Sequence, residues 1–206
     1  MNESPFFPRR HFLRTTAMLA GSLGLAPFVR SESKTAPAFH GAVIGHCSLR
    51  YRVNKLWSQA DPKKYPVRDC HEMVQVSDGR LFLLTNHPRN NMLIYEKSGK
   101  LLDTWTLSLQ GAHGLTVHRD DSGTEHLYLT DTGGRVLKTT LEGEIVLELP
   151  KAEDCGAYKA GEMYNPTEIA VAPNGDMFVA DGYGAQCVLR YDAKGNYISK
   201  FGGKGT

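Results

Sequence analysis

The side chains able to do chemistry are few and scattered. His113 opens an apolar run at His113-Gly114-Leu115, and an imidazole at a strand end can bind a metal ion or exchange a proton. A lone histidine in that place more often anchors its strand through a hydrogen bond. His71, His118 and His126 share no ligand spacing with one another and read as surface or turn residues. Tyr183 follows Asp181-Gly182 at a turn, where aromatic rings commonly cover a sheet edge. Arg89, within His87-Pro88-Arg89, reads as a solvated loop arginine. Asp131 and Asp181 close apolar runs and are expected to cap turns by side-chain-to-backbone hydrogen bonds. Cys47, Cys70, Cys155 and Cys187 form an even set without a Cys-x-x-Cys pair, so buried thiols and a single bridge stand as equal alternatives. No glycine-rich phosphate loop, nucleophile elbow or carboxylate pair is visible.

The elements that must position these residues alternate in polarity with period two. Between Asn165 and Phe201 lie four short runs, with Asn174-Gly175 and Lys194-Gly195 as tight turns, which predicts a four-stranded antiparallel unit. Two earlier stretches repeat the pattern, giving units over about 70–106, 111–150 and 164–202. Aligning Val76, Val117 and Val171 gives spacings of 41 and 54 residues, and Thr85, Asp131 and Asp181 close the second strand of each unit. An all-β fold of propeller blades is therefore expected, and a β-sandwich lacks the repeated turn order. Tyr51–Trp57 looks like one stray strand, and residues 150–164 form a polar insertion of the kind that sits on functional faces. Three blades cannot close a ring, so the expectation is half of a longer six-bladed propeller, with pairing of two copies as the alternative.

Charge bears mainly on the leader. The 206 residues carry a formal charge of +2, but residues 1–38 hold five basic and two acidic groups, and the remaining 168 residues come to −1. No basic field for nucleic acid is left. Arg9-Arg10-His11-Phe12-Leu13-Arg14, the apolar run Thr16–Val29 and Ala36-Pro37-Ala38 together read as a twin-arginine-type signal peptide over 1–38. They place the mature chain outside the cytoplasm, periplasmic or extracellular. The apolar run is too short and glycine-rich for a membrane span.

The third repeat, Pro166-Thr-Glu-Ile-Ala-Val-Ala-Pro-Asn-Gly175 followed by Val179-Ala-Asp-Gly-Tyr183, resembles the NHL-repeat propellers. With Ala112-His113-Gly114-Leu115 it is most similar to the peptidyl-α-hydroxyglycine α-amidating lyases, which release a peptide amide and glyoxylate. The resemblance runs over about 70–202. It implies that His113 is one of three zinc ligands, that the backbone carbonyl of Leu115 binds a structural calcium, and that Tyr183 is the base. Arg89 would bind the substrate carboxylate. The other two zinc histidines would belong to later blades, and the positions of the family's disulfide are held by Tyr164 and Gly184. The partner implied is a small peptide substrate. The rival expectation is a non-catalytic propeller that binds a peptide, glycan or protein on one face.

Overall fold

A computed structural model describes residues 41–205, so residues 1–38, read above as a signal peptide, lie outside the described residues. Fourteen strands and no helix are present among them. Three sheets hold four antiparallel strands each. The first contains β3 (Cys70–Gln75), β4 (Leu81–Thr85), β5 (Met92–Tyr95) and β6 (Leu101–Trp105). The second contains β7 (Ala112–Arg119), β8 (Glu125–Asp131), β9 (Arg135–Thr139) and β10 (Ile145–Glu148). The third contains β11 (Glu168–Val171), β12 (Met177–Asp181), β13 (Cys187–Tyr191) and β14 (Tyr197–Gly202). Each sheet runs in sequence order, strand beside next strand.

The turns follow from composition. Gly79, Gly99, Gly143, Gly175 and Gly195 all sit at φ between +84° and +92° in the hairpins, the region where a Cβ is costly. Gly99 is doubly constrained, since a Cβ would lie 1.6 Å from the Trp57 carbonyl oxygen. Trp57 itself donates from its indole to the Lys97 carbonyl at 2.9 Å. The indole is thus a loop anchor on the first sheet and not the end of a strand. The stray-strand expectation is corrected accordingly: β1 (Val43–His46) and β2 (Leu49–Arg52) form a small hairpin ahead of Trp57.

Two apolar clusters lie between neighbouring sheets. Phe82, Leu84, Met92, Leu115, Leu127 and Leu129 fill the gap between the first and second, and Tyr128, Ile169, Val179, Leu189 and Tyr191 the gap between the second and third. Each fully buried leucine contributes about 2 kcal/mol of transfer free energy. Strands β3 and β11 both pack beside β7. The inner strands therefore stand side by side, as blades do around an axis, and their first residues share one edge. Antiparallel order also brings the β8–β9 and β12–β13 loops and the insertion 150–164 to that edge.

One alignment is shifted. Val76 receives the turn bond from Gly79, and Ala172, not Val171, receives the matching bond from Gly175. The turns thus superpose Glu72 on Glu168 and His71 on Thr167.

Candidate active site

His113 is the second residue of β7 and is half-buried. Its Nδ1 lies 2.8 Å from the Thr167 carbonyl oxygen at the head of β11. A carbonyl can only accept, so Nδ1 carries the proton and Nε2 keeps its lone pair. Nε2 stands 3.2 Å from the Tyr183 hydroxyl, with the two rings edge to face at 5.2 Å. Tyr183 sits on the β12–β13 loop and is 65% exposed. The arrangement can hold one metal through Nε2 or pass a proton between phenol and imidazole.

His71 is a surface residue, as expected, but it has a neighbour that the sequence reading did not give it. Although exposed, its ring stacks on that of His113 at 4.2 Å and 21°. The stacked ring braces the face of His113. Linear spacing missed the pair because the two histidines come from neighbouring blades. His118 and His126 are strand residues rather than turn residues: His118 meets Tyr128 edge to face at 6.3 Å, and His126 lies 3.8 Å from Asp120.

A carboxylate pair is present after all. Glu72 of β3 accepts from the Leu115 amide at 2.6 Å, and Glu168 of β11 accepts from the Ile169 amide at 2.8 Å. Burial pushes the Glu168 carboxyl up to about 7; the Glu72 charge and a hydrogen bond with it add to the rise, while the Ile169 amide opposes it. The pair was hidden by the one-residue misalignment at Val76 and is plain once the turns are superposed. Amide and carbonyl of one strand residue face the same way, so the Leu115 carbonyl turns toward the side of Glu72. Two carboxylates and a carbonyl are hard oxygen donors of the type calcium takes. One imidazole with a fixed tautomer is the nitrogen donor at this edge, and among the described residues no group of three or more His, Cys, Asp or Glu could hold a metal.

Arg89 lies on the β4–β5 loop, at the sheet edge that corresponds to the Tyr183 loop. It is exposed, its amide bonds the His87 ring at 3.3 Å, and among the described residues its guanidinium contacts neither His113 nor Tyr183. Asp131 caps Gly133 at 2.9 Å. Asp181 does the same for Ala185 and additionally bonds Tyr158 and Asn165. All four cysteines are free thiols; Cys47 and Cys70 are exposed, Cys155 half-buried and Cys187 buried. No helix of the described residues is long and apolar enough to cross a membrane.

Four-stranded antiparallel sheets with adjacent inner strands define a β-propeller type of protein, with a histidine–tyrosine pair at the inner edge. Within that type the chain is similar to amidating lyases. It is 31% identical over 159 residues to a Caenorhabditis elegans protein named "Probable peptidyl-alpha-hydroxyglycine alpha-amidating lyase", a match covering 76% of this chain and 41% of the relative. It is 29% identical over 188 residues to peptidyl-α-hydroxyglycine α-amidating lyase 1 of Drosophila melanogaster, covering 84% of this chain and 30% of that relative. The chain thus spans well under half the length of these relatives. No protein-family model matches it. Among solved structures, a streptogramin B lyase aligns with a TM-score of 0.49 at 15% identity, over 66% of this chain and 41% of that one. A Bacteroides caccae protein of unknown function aligns with a TM-score of 0.47 at 15% identity, over 63% and 47%.

Proposed function

We propose that this chain is the N-terminal part of an exported, six-bladed NHL-type propeller acting as a zinc-dependent peptidyl-α-hydroxyglycine α-amidating lyase. The observation that carries the reading is the Tyr183 hydroxyl 3.2 Å from a His113 Nε2 whose lone pair is fixed by the Thr167 carbonyl. In that reading Tyr183 acts as the phenolate, taking the proton of the substrate's α-hydroxyl and passing it to the departing nitrogen, so that it ends the cycle as it began. The carbon–oxygen double bond of glyoxylate forms as the carbon–nitrogen bond breaks, and the departing nitrogen gains a proton to become the peptide amide. Zinc, when bound, is a Lewis acid that makes a hydroxyl placed against it more acidic. His113 supplies one of its ligands and later blades the others. Arg89, at the same edge, offers its fork to the substrate carboxylate. Glu72, Glu168 and the Leu115 carbonyl are the oxygen donors that would hold a structural calcium.

Elemental analysis of the full-length protein, purified without chelators, tests the metal assignment. About one zinc per chain is expected, lost in His113→Ala while the fold is kept. Absence of zinc from the parent protein, or full retention in the variant, removes His113 from the metal site and favours the non-catalytic propeller that binds a peptide, glycan or protein.

A further inference from the structure

The insertion 150–164 is tied to the loop that carries Tyr183 through one buried carboxylate. Asp181 closes β12 and is fully buried. Its Oδ2 accepts from the Tyr158 hydroxyl at 2.6 Å and from the Ala185 amide at 2.6 Å, and its Oδ1 accepts from the Asn165 amide at 2.8 Å. One donor belongs to the insertion, one to the residue just after it, and one to the loop of Tyr183. The Tyr158 oxygen also lies 2.9 Å from Cys187 Sγ. Since the phenol proton goes to Asp181, the thiol is the donor in that contact. Burial, with Asp181 and Cys187 adding to it, pushes the Tyr158 phenol well up, so it stays a donor.

There is no slack around this carboxylate. A Cβ on Gly184 would come within 2.3 Å of one Asp181 oxygen, 2.4 Å of the other and 2.6 Å of the Met163 carbonyl oxygen. Thr167 completes the circuit. Its carbonyl takes the His113 Nδ1 proton, and its hydroxyl would meet a Cβ on Gly182 at 2.5 Å. The exposed Tyr183 ring is thus aimed by a loop with glycine on both sides, and that loop is held from beneath by Asp181.

We infer that Tyr158 is a positioning residue, which orients Asp181 so that the Tyr183 loop holds its hydroxyl beside the His113 ring. Removing the phenol oxygen leaves a buried carboxylate short of a donor. The carboxylate then turns toward other donors and releases the loop from its present setting. A displacement of about 1 Å at the reacting group is enough for a large loss of rate. The kinetic part of this inference rests on the lyase reading; the structural part does not.

The test uses the full-length protein with 3-fluorotyrosine at position 183, in the parent, Tyr158→Phe and Tyr95→Phe forms. Tyr95 is a buried tyrosine of the first sheet bonded to Ser58 at 3.1 Å, so its variant controls for the loss of a core hydroxyl. In Tyr158→Phe the fluorine resonance should move, and in Tyr95→Phe it should stay in place. Turnover should fall about tenfold with zinc content retained and KM within about twofold. Should Tyr158→Phe fold poorly, Asp181→Asn, which keeps the shape and removes the charge, should move the same resonance. An unchanged resonance in the folded variant overturns the inference. If even the parent releases no glyoxylate, the lyase reading fails and the fluorine measurement alone decides the positioning role.

Discussion

Replacing Glu168 by glutamine should stabilise the protein at neutral and alkaline pH and do nothing in mild acid. Burial and the Glu72 charge raise the Glu168 carboxyl from 4.5 to about 7. A folded-state value above the unfolded one means that the folded protein holds a proton which the unfolded chain releases. The stabilisation is complete below about 4.5 and is lost as pH rises through about 7. At about 1.4 kcal/mol per unit the full shift would be worth about 3 kcal/mol, and allowance for the partial exposure of the site leaves about 1–2 kcal/mol. Glutamine mimics the protonated acid: its carbonyl can still accept from Ile169 and its amide can donate to Glu72. Urea unfolding of parent and Glu168→Gln, in chelator, at several values from about pH 4.5 to 8 gives the difference directly. Asp120, Asp176 and Asp192, whose carboxyls are held low by hydrogen bonds, contribute to both proteins and cancel. The difference should grow from near zero to about 1–2 kcal/mol in favour of glutamine. Millimolar calcium should reverse it, since a cation between Glu72 and Glu168 favours the ionised pair. A difference that is flat with pH, or that shrinks as pH rises, refutes the reasoning.

Three further outcomes follow. Gly184→Ala should destabilise by about 2–4 kcal/mol, because the new methyl meets the buried Asp181 carboxylate and the Met163 carbonyl, neither of which can retreat; thermal unfolding within about 2 °C of the parent, on the scale on which 1 kcal/mol moves the midpoint of a chain this size by a few degrees, would contradict this. Tyr183→Phe should keep the zinc and lower turnover by a factor of about 100 or more, which metal analysis beside steady-state kinetics would check. Changing both Arg9 and Arg10 to lysine should block export, read as loss of the protein, with Phe39 at its N-terminus, from the exported fraction.

The fold was largely legible because period-two patterning and Asn-Gly, Lys-Gly and Glu-Gly turns act locally, over a few residues. The site was legible only where one residue stood at a strand start, as His113 does. His71 on His113 and Glu72 beside Glu168 are contacts between blades, and they depend on superposing repeats to the single residue. Taking valines as the reference shifted the first repeat by one position and concealed both. Tyr158 gave no periodic signal at all, since it lies in an irregular insertion whose docking is set by the buried carboxylate it reaches.

The central claim is the lyase activity of the full-length protein, and glyoxylate release from an α-hydroxyglycine peptide measures it most directly. Stoichiometric formation of glyoxylate and peptide amide, dependent on His113 and abolished by chelation, is the expected result. A folded, zinc-replete protein that releases no glyoxylate above the buffer rate would contradict it.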